Sequence, residues 1–242
     1  MKIALRWLLL VLAAFLALQL FFVLRIALMA WIDPQSTAFQ RSEAWRLATE
    51  PGKRWRWRQE WVPYGELSDH LKRAVIASED DSFTQHDGLD WEAIESAWER
   101  NARAERQAAR RARLAAGRSP RIIGGSTITQ QLAKNLFLSG ERTLLRKGQE
   151  AVLTLALEIL LPKERILELY LNSVEWGEGV FGAEAAARRY HGKSASQLSA
   201  WEAARLAVML PRPKHYEKLP QSDYLADRAG VISARMRSAQ LP

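Results

Sequence analysis

Glu79, Asp80 and Asp81 stand side by side behind an apolar-striped stretch, and Phe83, His86 and Gly88 follow closely. Three adjacent carboxylates repel one another, so at least one is expected to keep its proton to a higher pH than usual. Acids at a helix C-terminus also meet the negative end of its dipole, which acts in the same direction. A carboxylate poised nearer neutrality is what a general base needs. The competing account is a solvated acidic turn, and His86 alone reads as structural.

Gly124-Gly125-Ser126-Thr127 opens a helix, where backbone N–H groups could be offered to an anion; ordinary capping is the simpler account. At about 3.6 residues per turn, Thr127, Gln130, Gln131 and Lys134 share one face and Ile128, Leu132 and Leu136 another. Amides and a lysine on one face suit a sugar-phosphate. Further on, Arg142, Arg146 and Lys147 precede Glu150. The spacing allows surface ion pairs of Arg146 and Lys147 with Glu150. It equally allows the three cations to hold a diphosphate and keep Glu150 ionised. Glu79 is therefore the better base, and Glu150 the better permanent anion.

These residues need elements to position them. Leu67 to Ser78 carries an apolar stripe with Ser68 as N-cap, and Asp90 can cap a helix from Trp91 that buries Ile94 and Trp98. Helices are predicted over Ile128 to Leu138, Leu144 to Leu161, Lys163 to Leu171, Ala183 to Tyr190, Ala200 to Leu210 and Tyr224 to Ala239, with Ser199 and Glu202 forming a capping box. Arg54 to Val62 alternates tryptophans with arginines, a short strand signal. The fold class is mainly α with at most a small sheet near that strand.

Before this domain, Trp7 to Leu24 is uncharged with Gln19 its one polar residue, and as a helix it spans about 27 Å. That approaches the roughly 30 Å hydrocarbon core and predicts a retained single-pass anchor, ended by Asp33-Pro34. Lys2 and Arg6 argue that the N-terminus stays inside and the rest lies outside. Residues 1–32 are read as cytoplasmic N-terminus and anchor, 33–53 as a tether with little periodicity, and 54–242 as the folded domain.

The 242 residues carry a formal charge of +8 and no cysteine, which removes disulfides, thiolate metal sites and cysteine nucleophiles. Residues 100–121 hold eight arginines and one acid, so that segment alone is +7 and the remaining 220 residues sum to +1. Such a segment suits anionic lipid or a solvated insertion, and outside the cytoplasm nucleic acid is a poor partner.

Taken together, WVPYGELSDHLKRAVIASEDDSFTQHDGLDWEAIESA, GGSTITQQLAKNLFLSGERTLLRKGQEA, PKERILELYLNSVEWGEGVFGAEAAARRY and LAVMLPRP resemble the glycosyltransferase domain shared by monofunctional peptidoglycan transglycosylases and penicillin-binding proteins. The likeness covers Trp61 to Pro213, 153 residues, in order. It implies a lysozyme-like, mainly α fold, a single N-terminal transmembrane helix in the bacterial inner membrane, and a catalytic domain on the periplasmic side. It implies polymerisation of lipid II into β-1,4-linked glycan strands in cell wall biogenesis, with undecaprenyl diphosphate released by one inverting displacement.

By that resemblance Glu79 corresponds to the general base and Glu150 to the second essential acid at the departing diphosphate. Lys134, Arg142, Arg146 and Lys147 fall on diphosphate-binding positions, while Ser126, Thr127, Gln130, Gln131 and Asn135 line the cleft and Glu168 is structural. Partners implied are lipid II, the growing glycan chain, membrane lipids and cell-wall synthesis or division proteins. No cofactor is required by the sequence, although magnesium or manganese suits a diphosphate. No Ser-x-x-Lys and no Lys-Thr-Gly occurs, so no transpeptidase activity is expected.

The chain departs from the family pattern in two places. Glu79 and Glu150 are 71 residues apart, a long separation whose surplus lies in the arginine-rich segment, and His191-Gly192 replaces a phenylalanine after Tyr190. The main alternative is a membrane-anchored peptidoglycan hydrolase or lytic transglycosylase, which would not need the diphosphate cations.

Overall fold

The computed structural model describes residues 2–52, 55–112, 125–141 and 143–242, apart from the side chains of 101 and 107–112. In chain order the elements are α1 (Lys2–Leu28), α2 (Ala38–Thr49), β1 (Arg58–Gln59), α3 (Asp69–Glu79), α4 (Trp91–Ala112), α5 (Ile128–Phe137), α6 (Leu144–Leu160) and α7 (Lys163–Ser173). There follow β2 (Glu175–Gly177), β3 (Val180–Phe181), α8 (Ala183–His191), α9 (Ala200–Met209), α10 (Pro213–Tyr216) and α11 (Asp223–Arg235). The mainly α class and most helix positions match the sequence expectation.

The sequence pattern explains the local starts. Ser68 caps α3 by accepting from His70 N and ties it to the next layer by donating to Leu198 O at 3.0 Å. Thr127 with Gln130, and Ser199 with Glu202, form reciprocal capping boxes at α5 and α9. The core forms where α9 packs on α3 and α11, and where α5 packs on α6 and α7. Leu71, Ile76, Leu132, Leu136, Leu157, Tyr170 and Trp176 are fully buried there. Replacing one such leucine with alanine typically costs about 2–5 kcal/mol.

Four expectations need correction. The stretch 33–53, read as a tether, contains α2, which starts at a Thr37–Gln40 capping box and buries Gln40, Glu43 and Leu47. Its buried face is largely polar, so no apolar period announced it. The strand expected over 54–62 shortens to Arg58–Gln59, pairing in parallel with Val180 and Phe181. The hairpin β2–β3 was not expected at all; it supplies the rest of a sheet ordered β1-β3-β2. On α4, Ala97 is buried and Ile94 partly so, but Trp98 stays 76% exposed. A Cβ at Gly125 would meet Ala93 O at 3.0 Å and Ala97 Cβ at 3.3 Å, so small residues, not Trp98, face that backbone.

Helix α1 is apolar and long enough to cross a membrane, and no residue of its apolar window is buried. Its last turns are attached to the domain. Gln19 and Gln149 of α6 exchange two amide hydrogen bonds, at 3.2 and 3.0 Å. Phe22 packs edge-on to Phe137, and Arg165 donates to Met29 O at 2.7 Å and pairs with Asp33 at 2.7 Å. Beside this contact α6 exposes Leu144, Leu145, Val152, Leu155 and Ile159. The arginine-rich segment is described as helix through Ala112, with Arg103 paired to Glu99 at 2.6 Å; Arg113, Arg118 and Arg121 lie outside the described residues. The departure at His191-Gly192 is absorbed locally, because Gly192 at φ +67° ends α8 in the left-handed region.

Candidate active site

Glu79 is the last residue of α3, where the helix stops against α5. Its Oε2 accepts from Gln131 Nε2 at 3.0 Å, and its Oε1 accepts from Ser78 Oγ at 3.3 Å. Gln131 is held from behind by Tyr170, whose hydroxyl donates to Gln131 Oε1 at 3.0 Å. Burial pushes the Glu79 carboxyl above its usual range, and neighbouring Asp80 adds to this. The amide of Gln131, the Ser78 hydroxyl and the Lys134 charge act the other way. The expectation that one acid of the triplet would be raised is met at Glu79.

Asp80 does different work. Its Oδ2 accepts the backbone N–H of Ile128 at 2.9 Å, and its Oδ1 lies 2.9 Å from His86 Nε2. His86 Nδ1 accepts from Gly88 N at 3.1 Å, which assigns the proton to Nε2 and makes His86 the donor to Asp80. Gly88, at φ +85°, accepts from Thr127 Oγ1 at 2.7 Å; a Cβ there would meet Thr154 Cγ2 at 2.7 Å. This chain of bonds locks the end of α3 to the start of α5. At the start of α5 the N–H groups of Thr127, Ile128 and Gln130 are taken by Gln130, Asp80 and Thr127, so capping uses these three. Gly124 lies outside the described residues.

Glu150 is buried on α6, with Oε2 2.8 Å from Arg146 Nη1 and Oε1 against Lys147 Nζ. Arg146 Nε is buried without a protein partner among the described residues. Two cavities join these acids. One of 530 Å³ is lined by Glu79, Asp80, Asp81, Asp90, Arg100 and Arg235; the other, of 440 Å³, by Gln130, Gln131, Lys134, Asn135, Arg146, Lys147, Glu150 and Glu175. Ser126 lines both. The first carries four acids against two arginines, the second three cations against two acids, so the cleft is polarised along its length. Arg142, expected with these cations, lies outside the described residues.

Sequence reasoning missed Glu175. It lines the Glu150 cavity, and its buried Oε1 has Lys214 Nζ 3.3 Å away as its ion-pair partner. Burial, and the like charge of Glu43, raise its carboxyl to about 7 against the pull of Lys214. The buried EWG triplet of β2 was its only signal. Glu168 is structural as expected, accepting from Tyr64 N at 3.2 Å and pairing with Arg165.

Asp80, His86 and Asp90 also cluster closely enough to suggest a metal. Their donors are already engaged, since Asp90 accepts from Ser82 Oγ at 2.5 Å and from Ala93 N at 2.7 Å. Nor do the residues around Glu150 make a cage for magnesium or manganese, because both its oxygens face cations.

The cleft of this helical scaffold thus sets a buried carboxylate, raised above its usual range, opposite a second one clamped by cations. A model of the Transglycosylase family matches residues 47–237. Curated relatives include the "Biosynthetic peptidoglycan transglycosylase" of Burkholderia orbicola (strain MC0-3), 53% identical over 95% of this chain and 87% of the relative. The relative of the same description in Burkholderia thailandensis (strain ATCC 700388 / DSM 13276 / CCUG 48851 / CIP 106301 / E264) is 56% identical over 95% of this chain and 84% of its own length. This chain belongs to the transglycosylase family and is a peptidoglycan glycosyltransferase.

Proposed function

We propose that the protein polymerises lipid II into β-1,4-linked glycan strands by a single displacement with inversion, releasing undecaprenyl diphosphate and performing no transpeptidation. The observation that carries this reading is the polarity of the cleft: Glu79, raised toward neutrality, sits at the acidic end, and Glu150 with Arg146 and Lys147 at the basic end.

Ionised Glu79 accepts the proton of the acceptor's 4-hydroxyl, whose oxygen attacks the anomeric carbon of the growing chain. The bond from that carbon to the diphosphate breaks, and charge gathers on the leaving group. Lys134, Arg146 and Lys147 line the cavity where that charge develops. The buried, unpartnered Nε of Arg146 is a donor to spare for an anion. Arg142 joins them by sequence position. Ser126, Thr127, Gln130 and Asn135 shape the cleft, with Thr127 and Gln130 acting mainly through the cap of α5.

Helix α1 is the membrane anchor in this reading, with Lys2 and Arg6 on the cytoplasmic side and the cleft on the periplasmic side. Leu144, Leu145 and Ile159 then face lipid. Other cell-wall synthesis or division proteins are further candidate partners.

The test is incubation of purified full-length protein in detergent with lipid II. Long glycan strands are expected, and Glu79→Gln should slow their formation by about 10²–10⁴-fold. Digestion of finished wall without polymerisation would replace this reading with the hydrolase.

A further inference from the structure

Away from the cleft, the structure holds a third large cavity, of 700 Å³, on the far side of the small sheet. Trp55 and Trp57 form one wall, their rings nearly parallel at 17° with centroids 6.0 Å apart. Trp57 is fixed from behind, because its ring lies 4.7 Å from that of fully buried Phe181. Trp55 is the outer plate and is 59% exposed. A tryptophan left in water while held in a stack is an apolar surface with somewhere to go.

The rest of the lining is charged. Arg56, Arg58, Arg189 and Lys218 face the cavity, and none of the four forms an ion pair among the described residues. The two acids present are otherwise occupied. Glu178 pairs with Arg46 at 3.0 Å, and both oxygens of Glu217 accept from Glu178 N at 3.2 Å. The cavity's outward chemistry is therefore flat aromatic surface beside uncommitted cations. Gly179 makes the arrangement possible: at φ +70° it lets Arg56 O approach to where a Cβ would stand 1.9 Å away. Arg58 N then bonds Gly179 O at 2.8 Å, tying the Trp-Arg strand to the hairpin.

That hairpin also reaches the catalytic cleft. Glu175, at one end of β2, lines the Glu150 cavity, and Glu178, just past the other end, lines this one. At about 3.3 Å per residue the two are separated by roughly 10 Å of strand. A charge chain joins them through Lys214, Glu43 and Arg46.

We infer that the Trp55–Trp57 cavity is a secondary binding site for an acidic, N-acetylated glycan, the strand made in the neighbouring cleft. The inference rests on the proposed polymerase activity. Pyranose rings offer C–H faces that pack on aromatic planes, and the carboxylates of peptide-bearing sugars suit arginine forks. A flat membrane surface is the poorer occupant, since Trp57 is packed on Phe181 in the wall of a recess.

The experiment uses the full-length chain in detergent carrying Glu79→Gln, so that binding is read without turnover. Affinity is measured for soluble peptide-bearing glycan fragments, for neutral N-acetylglucosamine oligomers and for anionic lipid vesicles. Trp55→Ala should weaken binding of both glycans about tenfold. Arg56→Gln with Arg58→Gln should weaken only the acidic fragments. Unchanged glycan affinity in Trp55→Ala, or a loss confined to vesicles, would overturn the site. Polymerisation by Glu79→Gln at the parent's rate would instead sink the catalytic reading, and the binding result would stand apart from it.

Discussion

Gln131 donates its amide to Glu79 at 3.0 Å from a side chain that also lines the cavity of Glu150. One residue thus touches the proposed proton acceptor and the cavity proposed for the leaving group. Tyr170, fully buried, fixes the other end of that amide, so its orientation is set by the core and not by solvent.

Because this amide favours the ionised form of Glu79, Gln131→Leu should raise the carboxyl further. The acid limb of the pH–rate profile is expected to move to higher pH, with activity at pH 6 falling more than at pH 8. A uniform loss across pH would assign Gln131 to substrate binding alone.

Glu79→Gln should lower the polymerisation rate by about 10²–10⁴-fold, the usual contribution of a positioned base. Stability should not suffer, since the variant removes a carboxylate whose ionisation burial opposes. A melting temperature well below that of the parent protein would show that the loss is structural.

Asp80→Ala should cost about 2–4 kcal/mol in urea unfolding, since it strands the Ile128 N–H and the His86 Nε2–H together. His86→Ala should cost less, because Asp80 keeps its backbone donor. Equal losses would mean that the histidine, not the helix start, is the main partner.

Glu175 predicts a stability that depends on pH. Its carboxyl is raised from 4.5 to about 7 in the fold, so its favourable contribution is complete below pH 4.5 and is lost as pH climbs through 7. Glu175→Gln, always neutral, should gain stability relative to the parent protein at pH 8 but not at pH 5. Parallel melting curves at both pH values would contradict the effect of burial on this carboxyl.

Much of this was legible beforehand because it depends on local pattern. The stripe behind Glu79, the i,i+3 and i,i+4 cations before Glu150 and the capping box at Thr127 are all encoded within one or two turns. What was illegible depends on distant packing. Helix α2 buries Gln40 against Ser173 O and Glu43 against Lys214, so its inward face is polar and shows no hydrophobic period. Trp98 belongs to the apolar stripe, but Ala93 and Ala97 are what face Gly125, which leaves Trp98 exposed. Glu175 takes its character from Lys214 and Glu43, which no spacing near it announces.

The amide exchange between Gln19 and Gln149 has a consequence for depth. Gln19 lies five residues inside the Leu24 end of the apolar stretch, about 7.5 Å along the helix. With α1 crossing the bilayer as proposed, Gln149 and the adjoining Glu150 are moored to the outer part of the anchor, about 7.5 Å short of the Leu24 end of its apolar stretch. Anchor and cleft cannot slip past each other without breaking both amide bonds and the Arg165 clasp on Met29 and Asp33. The catalytic groups then ride at one fixed altitude. They meet their substrate by drifting sideways in a plane, and a diphosphate riding at another height passes out of register.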